Sequence, residues 1–220
     1  MKDKPTLIVE GGGFKTAFTA GVLDLFITYG YLPFDHYYGI SGGAISLSYL
    51  LSGQYNACFS GLLHLAKDKQ FVKMNRLLSN QGYMNIEYLR NIATDISPLD
   101  IEAAVKNTKG KKVWFIIKKI KNGKAVYFEP SKKNWIDAAI ASSTLPFITK
   151  GSHKLDGAQY MDGGWSDPLP VQKAYKSGSE NILVIRTNPV DLKHSQSWPD
   201  YFGSFYHRDN KGLASCFGKS

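Results

Sequence analysis

Two hydrophobic periods alternate along this chain. Thr6 to Val9 is a short apolar run closed by Gly11-Gly12-Gly13, the pattern of a buried strand entering a turn. From Thr16 to Tyr29 the apolar residues fall at helical spacing. Tyr37 to Ile40 predicts a second strand, and Ala44 to Leu51 a small buried helix. Tyr55 to Val105 reads as mainly helical, with a helical segment around Tyr88 to Ile96 and a polar loop near Ser79 to Gly82. Val113 to Lys121 and Ala125 to Phe128 flank Asn122-Gly123, a hairpin signal. Trp135 to Ser142 predicts a short helix stopped near Pro146. Asp156-Gly157 predicts a turn between His153 and Tyr160. Leu169 to Lys176 predicts a helix, Ile182 to Ile185 a buried strand, and Tyr201 to Phe217 a final amphipathic helix.

Strands and helices alternating in this way specify an α/β domain with a mostly parallel sheet. The loops after the first two strands then share one sheet edge, where ligands bind in open α/β sheets. A length of 220 residues predicts a single domain, with a core over about 6–186 and a tail over about 187–220. At 43% hydrophobic and 20% charged residues, the chain can bury a sizeable core. Two distant cysteines, Cys58 and Cys216, make no disulfide framework and fit a reducing compartment. Leu7-Ile8-Val9 is too short for a signal-peptide core, and no run approaches the roughly 18 apolar residues of a bilayer span. The expectation is a cytoplasmic protein or one peripheral to a membrane.

The formal charge is +9, and Lys106 to Lys133 holds ten lysines against one acid, Glu129. Such a segment is either a solvated face or an attachment to an anionic membrane surface. No nucleic-acid motif accompanies the charge, so nucleic acid is not an expected partner.

The candidate chemistry centres on Gly39-Ile40-Ser41-Gly42-Gly43. A serine nucleophile needs an exposed oxygen, a base, and donors for the oxyanion. A sharp strand-to-helix turn meets the first need, and glycines at 39 and 43 leave room for it. In a chain with 21 glycines the pattern also arises by chance. Gly11-Gly12-Gly13 follows the first strand and precedes a helix, so its amides are candidate oxyanion donors, with Lys15 adding positive charge. A nucleotide loop or a plain turn are the alternatives. The dinucleotide fingerprint needs glycine where Thr16 stands, and the Gly-Lys-Ser/Thr phosphate loop is absent.

For the base, only His194 and His207 of the five histidines follow in the Ser-Asp-His order of an α/β-hydrolase, and neither has a distinctive context. Ser41 is also very early for that fold. Asp162, in Tyr160-Met161-Asp162-Gly163-Gly164, is the better candidate, since a carboxylate paired with a serine hydroxyl in partly dry surroundings can act as general base. The competing reading of Asp-Gly is a turn.

Taken in order, these segments resemble the patatin-like phospholipase family. Glu10 to Lys15 resembles its oxyanion loop, Gly39 to Ala44 its nucleophile turn, Asp162-Gly163-Gly164 its aspartate motif, and Ala141-Ser142-Ser143 with Pro146 the stretch between them. The likeness runs from about Thr6 to Arg186. It implies a three-layer α/β/α fold and a Ser41–Asp162 dyad. Oxyanion donors would come from Gly11, Gly12 and Gly13, with Gly42, and no metal or organic cofactor is needed. The implied substrate is a phospholipid or related acyl ester. The chain departs from the family at Thr16, where glycine is usual and a β-branched residue is expected to narrow or tilt the loop. The short segment after Arg186 shows no family feature. Those two departures, with the basic segment, motivate the other reading, a lipid- or membrane-binding protein with a vestigial site.

Overall fold

The computed structural model describes residues 3–72, 82, 84–146 and 148–189. The helix expected at Tyr201 to Phe217, both candidate histidines after Asp162, Cys216 and most of the Ser79 to Gly82 loop lie outside them. Four strands form the parallel part of the sheet: β1 (Thr6–Val9), β2 (His36–Ile40), β3 (Lys112–Lys119) and β7 (Ile182–Ile185). They lie in the order β7-β1-β2-β3, with Thr6 opposite both His36 and Ile182. The antiparallel strands are β4 (Ala125–Phe128), β5 (His153–Leu155) and β6 (Ala158–Asp162). The sheet is therefore parallel where the loops after β1 and β2 meet, and antiparallel beyond β3.

The helices are α1 (Thr16–Thr28), α2 (Gly42–Ser52), α3 (Ala57–Lys67), α4 (Tyr88–Asn91), α5 (Ile101–Asn107), α6 (Trp135–Ser142) and α7 (Val171–Lys176). Alternation on the strands decides which face each helix covers. Leu7, Val9, Tyr37, Phe115 and Ile117 face the larger core under α1, α2, α5 and α6. Ile8, Tyr38, Ile40 and Ile116 face the opposite side, where Ala174 of α7 joins them. This gives the expected three-layer α/β/α architecture with a thin second helical layer. Trp135 anchors α6, fully buried, with its indole N–H on Ser48 Oγ at 2.9 Å and its ring edge-on to Phe115.

Most predicted elements form within a residue or two. At Asp156-Gly157 both residues have positive φ, 45° and 80°, as a two-residue hairpin turn requires. The ten lysines do not form one face. Lys106, Lys109, Lys111, Lys112, Lys132 and Lys133 lie around α5 and the N-terminal end of β3, the end opposite Ser41. Lys112 pairs with Glu129 at 3.0 Å and Lys132 with Glu102 at 2.6 Å. Lys118 is buried in the sheet, its ammonium directed at the Trp165 carbonyl. Only Lys119, Lys121 and Lys124 lie toward the C-terminal end of β3. Of the two readings of this segment, a solvated face and a membrane attachment, the spread of the lysines offers the second no single basic surface.

Candidate active site

The register of β3 brings Ser41 and Asp162 together. Gly39 and Phe128 flank Phe115 on opposite edges, so β2 and β4 lie on opposite sides of β3. Val126 and Asp162 likewise flank Ile117, which places β6 on the same edge as β2. On that edge β2 ends with Ile40 opposite Ile116, and β6, running the other way, ends with Asp162 opposite Ile117. Two strands meet end to end on consecutive rungs. The residue after one and the last residue of the other become neighbours although 121 positions separate them in sequence.

Ser41 sits between β2 and α2 at φ 54° and ψ −130°, a left-handed conformation that costs a residue with a Cβ on the order of 1–3 kcal/mol. The neighbouring glycines serve close approach. A Cβ on Gly43 would lie 2.3 Å from the Val9 carbonyl oxygen, and one on Gly39 2.7 Å from Ala44 Cα. The turn is thus clamped against the end of β1 and the start of α2, which holds Ser41 in its strained conformation. The serine also lies at the N-terminus of an 11-residue helix, whose first N–H groups have no intrahelical partner and whose dipole is positive at that end.

Asp162 is 3% exposed. Burial raises its pKa to about 6, against hydrogen bonds from the Ser41 side chain and from the Gly164 N–H, the latter at 2.7 Å. Gly163 allows the turn to pass so near Ile116 that a Cβ would lie 2.2 Å from that carbonyl oxygen. The carboxylate is therefore oriented by one backbone donor and faces the serine hydroxyl.

The Gly11 to Gly13 loop lies over the turn. A Cβ on Gly11 would fall 2.7 Å from Ser41 Cβ. Gly13, at φ 56°, opens a short 3₁₀ turn to Lys15. Thr16 neither blocks the loop nor projects into it. It is buried, its hydroxyl donates to the Gly13 carbonyl at 2.5 Å, and its side chain fills the space beneath Gly42. The expected narrowing at Thr16 is replaced by a cap that ties the glycine loop to the start of α2.

Two supports carried no role in the sequence reading. Ser142, fully buried at the end of α6, accepts the Ser41 N–H at 2.9 Å and donates to the Ile116 carbonyl at 2.7 Å. Two residues on, the Thr144 carbonyl accepts the Asp162 N–H at 2.8 Å. One turn thereby holds both members of the pair. The second support is Glu10, which is also buried. Its carboxylate accepts the Thr187 N–H at 2.6 Å, and the Asn188 N–H and side-chain amide, each at 3.2 Å. Thr187 also donates to the Gly11 carbonyl, and Lys15 donates to the Asn188 side chain. The start of the segment after Arg186, which shows no family feature in sequence, is therefore part of the glycine-loop scaffold. A carboxylate between an apolar run and a glycine run was its only signal in the sequence.

From this rim a cavity of about 500 Å³ runs between α2, α3 and α6. Ser41, Asp162 and the glycine loop form its polar end. Tyr49, Leu62, Leu65, Ile86, Leu89 and Ile92 line its apolar length, and Cys58, a free thiol whose pKa burial pushes up to about 11, lies in its wall. No described histidine lines it. Among the described residues no group of three His, Cys, Asp or Glu side chains is arranged to hold a metal ion.

Over 193 residues the chain is 32% identical to the uncharacterized protein YjjU of Escherichia coli K12, covering 87% of this chain and 54% of that protein. The solved structure of VipD from Legionella pneumophila superposes with a TM-score of 0.51 at 13% identity, over 84% of this chain and 50% of that one. The chain thus spans about half the length of the relatives it matches. The model of the patatin-like phospholipase family matches residues 7–175, and the chain belongs to that family.

Proposed function

We propose that this chain is a serine acyl hydrolase of lipid esters, with Ser41 as nucleophile and Asp162 as its base. One observation carries the reading. A serine held in a strained turn stands beside a buried, desolvated carboxylate at the polar end of an apolar cavity. Asp162 takes the hydroxyl proton as Ser41 Oγ attacks the acyl carbonyl. The oxyanion is received by N–H groups of the Gly11 to Gly13 loop and of Gly42, at the positive end of α2. The alcohol leaves with the proton from Asp162. Water then attacks the acyl-enzyme with Asp162 again as base, releasing the fatty acid. No cofactor enters these steps. The cavity suits an acyl chain of a phospholipid or related ester, its apolar length receiving the chain and its rim the ester.

The test is labelling by a fluorophosphonate probe. Folded protein should be labelled at Ser41, and Ser41→Ala should lose both label and esterase activity by at least about a thousandfold. Intact esterase activity in Ser41→Ala would overturn the assignment. A protein that binds lipid but hydrolyses no ester would favour the vestigial reading, whose main motive weakens now that Thr16 caps the loop. Dependence on His194 or His207 instead of Asp162 would favour an α/β-hydrolase triad.

A further inference from the structure

Two neighbouring helices carry apolar residues on their outer faces. On α1 these are Phe18, Leu25 and the following Tyr29, at 64, 57 and 80% exposure. On α3 and its approach they are Tyr55, Phe59 and Leu63. The helices pack side by side and antiparallel. The Asn56 N–H meets Asp24 near the end of α1, and Phe71, beyond the end of α3, meets Phe14 at its start with ring centroids 6.0 Å apart. Phe14 and Phe71 also line the cavity. The apolar surface is therefore continuous with the cavity at one end, and tyrosines 29, 31 and 55 mark the other.

The charge pattern selects the occupant. The acids beside this face are engaged: Asp24 accepts the Asn56 N–H, and Asp68 the N–H of Gln70 and the hydroxyl of Tyr88. The exposed charges at its border, Lys15, Lys67 and Lys69, are positive. Apolar rings in the middle, tyrosines at one end and lysines at the border match the layers of a bilayer interface.

We propose that the α1–α3 face docks on a lipid bilayer by shallow apolar insertion, with the cavity mouth at the membrane surface. The choice of a lipid occupant rests on the lipid-ester reading. The Lys106 to Lys133 segment then makes no dominant contact. Binding is tested on the full chain carrying Ser41→Ala, so that no turnover intervenes, by cosedimentation with phosphatidylcholine vesicles with and without added phosphatidylglycerol. The expected result is binding to both that survives raised salt, and a roughly hundredfold weaker partition for Phe18→Ser with Phe59→Ser. Lys132→Glu with Lys133→Glu should stay within about twofold. Circular dichroism checks that the variants fold, and the serine pair in the Ser41 background should still take the small probe.

Unchanged binding by a folded serine pair would overturn the proposal. So would binding that salt abolishes and the lysine changes remove, or self-association through this face without vesicle binding. Failure of the probe to label Ser41 would count against the hydrolase reading alone.

Discussion

The two ends of the cavity are built in opposite ways. The polar end is fixed by backbone: consecutive β3 rungs, glycines at near-contact distances, and buried hydroxyls bridging main-chain groups. The apolar end rests mainly on side-chain packing. Leu65, Phe71, Tyr88 and Ile92 form a satellite core apart from the main one, and Ile92 to Ile96 departs from α-helical geometry into a π-turn. Backbone clamps tolerate almost no change, whereas an apolar wall accepts substitutions that conserve volume. Under the proposed function the chemistry would be bound to residues that cannot move, and selection among acyl chains left to residues that can.

The largest effect should come from neutralising the base. Asp162→Asn is expected to lower turnover about 10³-fold while raising stability. The sign follows from the raised pKa. The fold favours the protonated carboxyl, so the stabilising contribution is complete below the ordinary pKa of 3.8 and is lost as pH rises to about 6. At neutral pH the ionised carboxylate costs on the order of 3 kcal/mol, which the amide avoids. Denaturation across pH should show the variant's advantage opening between pH 3.8 and about 6. In the unmodified protein kcat/KM should rise through the same upper value. A flat profile there, or a destabilised variant, would break the view of this end as strained for function.

Ser142→Ala removes the bridge between the Ser41 N–H and the Ile116 carbonyl without touching the acyl chain. Misplacing a reacting atom by about 1 Å costs on the order of a hundredfold, so kcat should fall roughly 30- to 100-fold with KM nearly unchanged. Equal losses in both constants would mean that α6 shapes the cavity instead of the turn.

The polar end was also the more legible in the sequence. Gly39 and Gly43 around Ser41, and Gly163 after Asp162, mark close backbone approaches, and such approaches leave glycines behind. Asp162 was already the better base candidate from its own context, and the resemblance implied the dyad, but the end-to-end strands on β3 that bring it to Ser41 come from tertiary register. Ser142 lay inside a matched segment without a role, since nothing local shows a hydroxyl spanning two strands. Glu10 was missed because its partners, Thr187 and Asn188, lie 177 and 178 positions away. The cavity was illegible for a different reason. Leu62 and Leu65 have the periodicity of any buried helix, whether the space they face is filled or open. The ten lysines are contiguous in sequence but not in space: β3 carries Lys119, Lys121 and Lys124 toward the end of the sheet opposite Lys106 to Lys112, Lys132 and Lys133.

The other end is probed by filling it. Leu62→Trp adds volume where α3 lines the cavity. Hydrolysis of long-chain nitrophenyl esters should fall about tenfold, in the range that small volume changes in apolar pockets produce, and acetate should be hydrolysed as before. A uniform loss on both would show that the two ends are mechanically coupled.

The smallest effect tests the seam between the ends. Glu10→Gln keeps an acceptor for the Thr187 and Asn188 N–H groups but removes the charge. Hydrogen bonds to a charged group contribute about 1 kcal/mol more than neutral ones, so the clamp on the glycine loop should loosen by a factor of about five. Because the loop is assigned to the oxyanion, this should appear in kcat with KM unchanged, while Glu10→Asp, charged but one methylene shorter, should recover part of it. A change in KM alone would move Glu10, Lys15 and Asn188 from the chemistry to substrate entry.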